Sequence, residues 1–168
     1  MTIINCDEKD IGLLNRFYDW GRELQKARSK HHWKHFETAT LLREISEKRQ
    51  WKLVDDGEPV AVFLTAYEDP WIWGEDGKQP AVYLHRIVSH PDHRGKNLLG
   101  RIINWAKAHA REKNLQFLRM DTWGDNPALL NYYIKFGFEL VRIVNPEDTS
   151  NLPAHYDCIS LGLLEMKL

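Results

Sequence analysis

AVYLHRIVSHPDHRGKNLLGRIINWAKAHAREKNLQFLRMD, residues 81–121, decides the fold. Its opening, Ala81–Val88, is rich in β-branched and aromatic residues and reads as a strand. After a polar stretch, Leu99, Ile102, Ile103, Ala106 and Ala110 recur at the spacing of one buried helical stripe, predicting a helix over 98–113. Lys107, Arg111 and Lys113 fall in its later turns, where the helix dipole favours positive charge. Gln116–Asp121 reads as the next strand. Strand, helix and strand in this order imply a right-handed crossover between parallel strands. The class is therefore α/β.

Downstream, Asn126 and Pro127 stand at the cap and first position of a helix over 127–136, which Gly137 ends. Phe138–Val144 is a strand, and Cys158–Lys167 is a last strand reached through a polar loop holding Pro146 and Pro153. Upstream, Thr2–Asn5 is a short edge strand. Ile11, Leu14, Phe17, Tyr18 and Leu24 keep helical spacing after Asp10, the expected N-cap. The histidine-rich segment 27–36 reads as a loop or a short irregular helix. A second short helix follows, with Leu41, Leu42 and Ile45 on its buried face. Trp51–Val54 and Val60–Ala66 flank the turn sequence Asp55-Asp56-Gly57-Glu58 as a hairpin, and Glu68–Pro80 reads as a loop. The sheet is accordingly mixed, with helices against it.

At 168 residues the chain is sized for one well-buried core, so residues 1–168 are expected to form a single domain. A net charge of -1 and the absence of a basic stripe argue against nucleic acid as a partner. No charged-then-apolar leader and no membrane-length apolar run is present, so a soluble, cytoplasmic protein is expected. Cys6 and Cys158, far apart and outside any ligand spacing, read as buried or idle thiols. His85, His90 and His93, like His31, His32 and His35, lack the company of a metal site, and no metal is expected. Of the seven tryptophans, Trp71 and Trp73 lie in the Glu68–Pro80 loop. Their rings either anchor that loop or present a face to a ligand.

Two segments carry chemistry. His90-Pro91-Asp92-His93-Arg94-Gly95-Lys96-Asn97-Leu98-Leu99-Gly100 joins a strand to a helix. A glycine-bearing turn there aims successive backbone N–H groups at an anion, and Arg94 and Lys96 add positive charge. In the second, Asn126-Pro127-Ala128-Leu129-Leu130-Asn131-Tyr132-Tyr133-Ile134-Lys135-Phe136-Gly137-Phe138, a tyrosine precedes the helix-ending glycine by four residues. Strand alternation sets Tyr83, His85 and Ile87 on one face and Leu84, Arg86 and Val88 on the other.

Together these elements resemble the acyl-CoA motifs of the GNAT superfamily of acetyltransferases. The family pattern is a strand, then Arg or Gln followed by x-x-Gly-x-Gly/Ala, then Asn and later Tyr before Gly-Phe. With Arg94 as the motif arginine, the family's two glycines fall on Asn97 and Leu99. Asn adopts the left-handed conformation more readily than most residues. Leu99 is expected to turn inward with the core stripe, or Gly100 to relax the turn. The resemblance implies a mixed sheet flanked by helices, with a β-α-β-α-β acyl-CoA-binding half at about 81–144.

It also implies transfer of an acetyl group from acetyl-CoA by direct attack of a primary amine, on a small molecule or a peptide, at the thioester. Ile87, Val88, Arg94, Gly95, Lys96, Asn97, Leu98, Leu99, Gly100, Asn126 and Tyr133 would bind acetyl-CoA. Backbone N–H groups at the end of the first strand, chiefly that of Val88, would stabilise the developing oxyanion. Tyr133 would protonate the departing thiolate. His85, Asp121 or water would take the amine proton. Trp71 and Trp73, with the helices before Lys48, are placed on the acceptor side. The alternative on the same fold is a non-catalytic acyl-CoA sensor. A nucleotide-binding domain would want a Walker or dinucleotide fingerprint, and neither is present. The sequence leaves open whether the chain forms a homodimer.

Overall fold

The computed structural model describes all residues except 147–149, 151, 153–155, 157 and 158. Seven strands form one mixed sheet: β1 (Thr2–Asn5), β2 (Gln50–Asp55), β3 (Glu58–Ala66), β4 (Ala81–Ser89), β5 (Phe117–Trp123), β6 (Glu139–Val144) and β7 (Leu161–Lys167). Their order across the sheet is β1-β2-β3-β4-β5-β7-β6. Among the described residues five α-helices accompany them: α1 (Ile11–Arg28), α2 (Thr38–Ser46), α3 (Pro70–Trp73), α4 (Leu98–Glu112) and α5 (Pro127–Ile134). The chain divides into two compact units, Met1–Thr65 with His85–Trp105, and Ala66–Leu84 with Ala106–Leu168.

In the first unit, β1 and β2 pair antiparallel from Thr2↔Val54 to Asn5↔Trp51, and β2 pairs antiparallel with β3. The turn between β2 and β3 has Asp56 at φ 48° and Gly57 at φ 85°. Two successive left-handed residues are what a tight hairpin needs to match the strand twist. Leu14, Phe17 and Tyr18 of α1 and Leu41 and Ile45 of α2 form one core with Val62 and Val88. A separate aromatic cluster joins Trp51, Phe63 and Trp105, with Trp51 and Trp105 centred 4.5 Å apart.

Two expectations hold only in part. Asp10 stands at the N-cap position of α1 but makes no side-chain cap hydrogen bond there. Its carboxylate instead accepts from the Asp7 N–H at 2.9 Å and from Lys52 Nζ at 2.7 Å, while Asp7 caps the 3₁₀ turn Glu8–Asp10. On α2, Leu42 is exposed and Glu44 takes the inward position, only 3% exposed. Glu44 lies three residues after Leu41 on the same face, and a cation awaits it there. Cys6 is buried in the same core, and desolvation pushes its thiol up to about 12, so it stays an unreactive thiol. Cys158 lies outside the described residues.

In the second unit, β4 and β5 run parallel, paired at Ala81↔Phe117, Val82↔Leu118 and Tyr83↔Arg119. The strand-helix-strand crossover thus joins parallel strands as the sequence requires. β7 then pairs antiparallel with β5 from Phe117↔Lys167 to Trp123↔Leu161, and antiparallel with β6 on its other side. The last strand in the chain therefore lies between β5 and β6, and those two run the same way without pairing to each other. β7 begins at Leu161 rather than at residue 158.

The segment Glu68–Pro80 is not a loop. Pro70 occupies the first turn of α3, where its missing N–H costs nothing. Gly74, at φ 59°, ends that helix, and a 3₁₀ turn runs on over Gly74–Lys78. Ile72 and Trp73 bury themselves against Ala81, Tyr83, Leu161 and Leu163. Two apolar residues with a core to face convert a Pro- and Gly-rich stretch into ordered turns.

Candidate active site

In the first unit, β4 leads into the glycine turn and α4. Arg86, within the strand, has φ 51°. This breaks the regular alternation anticipated for β4, because a left-handed residue turns the following peptides away from the pleat. His85 and Ile87 are half-buried, and Val88 is 6% exposed, packed in the core with Phe17. The His90 N–H donates to the Val60 carbonyl at 2.8 Å. The His90 Nδ1 accepts from the Asp92 N–H at 3.2 Å, capping the 3₁₀ turn Pro91–His93. The Trp20 ring meets the His90 ring edge-on at 4.7 Å.

Beyond that turn the backbone is left-handed twice, at Gly95 (φ 81°) and at Asn97 (φ 55°). Asn97 thus adopts the conformation that lets it stand where a glycine would be expected. Its carbonyl accepts from the Arg101 N–H at 3.3 Å, the first helical bond of α4. Its side chain lies over Gly100, where a Cβ would meet the Asn97 Oδ1 at 2.5 Å. A side chain at residue 100 would displace the Asn97 amide from this position. Leu98 and Leu99 turn inward, at 3% and 7% exposure. Arg94, Gly95, Lys96 and Asn97 are all exposed. The first N–H groups of a 15-residue helix have no partners within the helix, so its N-terminus and two cations face outward together.

The close approach of α1 to β4 rests on Gly21. A Cβ there would lie 2.9 Å from Val88 Cγ2 and 2.9 Å from the Trp33 ring. In an open helix, Gly→Ala stabilises by roughly 0.5–1 kcal/mol. Here overpacking costs about 1–3 kcal/mol, and it outweighs that gain. Gly21→Ala is therefore expected to lower the urea midpoint. A raised midpoint would show that Trp33 yields freely.

In the second unit, Asn126 caps α5 through Oδ1, accepting from the Leu129 N–H at 3.1 Å, with Pro127 next to it. Gly137, at φ 95°, closes the helix end. Tyr133 is half-buried, its ring edge-on to Phe138 at 6.5 Å and to Tyr132 at 5.6 Å. Desolvation, with the nearby Tyr132 and Asp121 adding to it, raises its phenol above the ordinary range. Asp121 accepts from the Tyr156 hydroxyl at 3.1 Å, and a carboxylate oxygen of the buried Asp69 lies within 4.8 Å of one of its own.

Trp71 and Trp73 part company. Trp71 is 58% exposed, whereas Trp73 is 1% exposed, with the Arg119 guanidinium 4.5 Å from its ring centre and Tyr83 at 5.8 Å. Trp73 therefore holds the anchor position, and its neighbour holds the open one. Sequence reasoning missed Arg119, whose side chain is as buried as Trp73. It also missed Glu44, Gln50 and Arg86. A charged residue inside an otherwise apolar strand, as in Phe117-Leu118-Arg119-Met120, was the available signal for the first.

The model of the acetyltransferase (GNAT) family matches residues 13–138 of this chain. Over 142 residues the chain is 27% identical to the uncharacterized N-acetyltransferase YesJ of Bacillus subtilis (strain 168), covering 80% of this chain and 77% of that one. Among solved structures, an acetyltransferase of the GNAT family from Listeria monocytogenes superposes with a TM-score of 0.80 at 18% identity, covering 99% of this chain and 94% of that one. A second, yncA from Salmonella typhimurium, was solved with its cofactor acetyl-CoA. It superposes with a TM-score of 0.69 at 15% identity, covering 100% of this chain and 94% of that one. No helix among the described residues is long and apolar enough to cross a membrane.

Proposed function

Since the chain belongs to the GNAT acetyltransferase family, we propose that it moves the acetyl group of acetyl-CoA to a primary amine of a small molecule or peptide, the whole chain acting as one N-acetyltransferase domain. The observation that carries this reading is the turn at Gly95–Asn97. Two left-handed residues, two exposed cations and the N-terminus of α4 meet there. That donor set suits a pyrophosphate, because backbone N–H groups and a helix dipole favour negative charge without needing a side-chain acid to be neutralised.

Acetyl-CoA, when bound, supplies an activated thioester carbonyl. Arg94, Lys96 and the N–H groups of residues 95–100 hold its phosphates. Ile87 and Val88 offer backbone N–H groups to the acyl oxygen as negative charge grows on it. Asn126 bonds the pantetheine arm with whatever capacity its cap leaves, since an amide side chain has donors as well as an acceptor. Tyr133 gives its proton to the departing sulfur, and His85 takes the proton that the amine must lose. Trp71 would meet the acceptor by packing or by cation–π attraction, and its exposure supports this role over that of the buried Trp73.

Millimolar acetyl-CoA is expected to raise the melting temperature, as any ligand that binds only the native state must. At a hundred times Kd the gain is about 2.7 kcal/mol. Arg94→Glu reverses a charge beside the phosphates and is expected to weaken CoA binding roughly 10- to 30-fold, from about 1 kcal/mol per screened charge contact. An unmoved melting curve would remove the acetyl-CoA reading. Thiol release from acetyl-CoA with a panel of amines then separates an enzyme from a sensor.

A further inference from the structure

Arg86 sits in β4 with φ 51°, immediately before the two residues whose N–H groups the proposed function uses. A non-glycine residue keeps that conformation inside a strand only when its surroundings impose it. The surroundings are on the same unit. Arg86 Nη1 donates to Glu44 Oε2 at 3.0 Å, and its guanidinium lies 4.1 Å from the centre of the Phe36 ring. Glu44 is held in turn. The Gln50 Nε2 donates to the same carboxylate oxygen at 2.8 Å, and the Tyr18 hydroxyl donates to Gln50 Oε1 at 2.7 Å. Glu44 and Gln50 are 3% and 0% exposed, and Tyr18 is 2% exposed.

A buried carboxylate is costly unless it is paired and hydrogen-bonded, and a bare hydrophobic side chain at residue 44 would have packed the core without that cost. The ion pair supplies something that packing does not, namely a fixed direction for one side chain. We propose that Glu44 is a positioning residue for acetyl transfer. By fixing the Arg86 side chain it holds the left-handed backbone of Arg86, and so sets the direction of the Ile87 and Val88 N–H groups. The inference rests on the acetyl-CoA reading for its chemistry but not for its structural part.

The structural part is read on the ligand-free protein. Glu44→Gln keeps size and hydrogen-bonding capacity and removes the charge that grips Arg86. It is expected to move the amide resonances of Ile87 and Val88 in ¹⁵N-correlated NMR spectra, and to lower kcat roughly 10- to 100-fold. That loss approaches the loss of an oxyanion donor without exceeding it, because the donors are misdirected rather than removed. A second pair of variants covers the case in which Glu44→Gln fails to fold. Arg86→Gly and Arg86→Ala both leave Glu44 without its cation, but only glycine is at ease at this φ. The glycine variant should keep the two amide resonances near their wild-type positions and retain roughly tenfold more activity than the alanine variant. Unmoved resonances in Glu44→Gln, or equal behaviour of Arg86→Gly and Arg86→Ala, would overturn the proposal. If the wild-type protein fails to bind acetyl-CoA, the acetyl-transfer reading falls, and the role proposed for Glu44 in acetyl transfer falls with it; the NMR arm then decides the conformational claim alone.

Discussion

Tyr133→Phe is expected to lower kcat by about 10²–10⁴-fold while acetyl-CoA affinity and melting temperature stay close to wild type. The substitution keeps the edge-on contacts with Tyr132 and Phe138, so the local packing of α5 survives. Among the described residues no partner holds the Tyr133 hydroxyl, so its removal strands no other group. What disappears is one proton donor. Burial raises the phenol above its ordinary range, which makes it a weaker acid and keeps it protonated throughout neutral and mildly alkaline solution. Any alkaline fall in rate below about pH 10 must therefore belong to another group. Steady-state thiol release, with a thermal melt on the same sample, checks both halves. An unaltered kcat, where thiolate departure limits turnover, would pass the proton to water.

Arg119→Ala is expected to destabilise the protein by about 3–5 kcal/mol, the range for removing one partner from a buried ion pair. Arg119 is 1% exposed and donates to Glu165 Oε2 at 2.7 Å, the Asp76 carbonyl at 2.6 Å, Gln79 Oε1 at 2.5 Å and the Tyr83 hydroxyl at 3.1 Å. Its flat face also lies against Trp73 and Phe117, at 4.5 and 4.7 Å from the ring centres. The side chain thus ties the Pro70–Lys78 turns to β5 and β7. Arg142, which donates to the Trp73 carbonyl at 3.0 Å, is a second and more exposed tie. Alanine opens a cavity under Trp73 as well as unpairing Glu165, so both costs push the same way. Arg119→Met restores much of the volume and is expected to recover part of the loss. Urea unfolding of the three proteins measures the difference. A change below about 1 kcal/mol in Arg119→Ala would mean that the buried guanidinium is compensated elsewhere.

The sequence by itself determined what short-range interactions control. The stripe of Leu99, Ile102, Ile103, Ala106 and Ala110 places α4, and all five are buried in the structure. Asn126 caps α5 and Gly137 closes it, each through contacts with residues a few positions away. Asn97 takes the left-handed conformation that its short polar side chain favours. Only the tertiary structure decided the place of β7 between β5 and β6, the order hidden in Glu68–Pro80, and the burial of Glu44, Gln50 and Arg119. Arg86 meets Glu44 across 42 residues of chain, and Arg119 meets Glu165 across 46. A charged residue reads as solvent-facing until its partner is in place, because burial without that partner costs several kcal/mol. Periodicity, caps and backbone preferences act within a turn or two and are legible in order. Partners separated by the length of a whole crossover become neighbours only when the sheet has formed, and it is that neighbourhood which settles the conformation of Arg86 and the fate of Trp73.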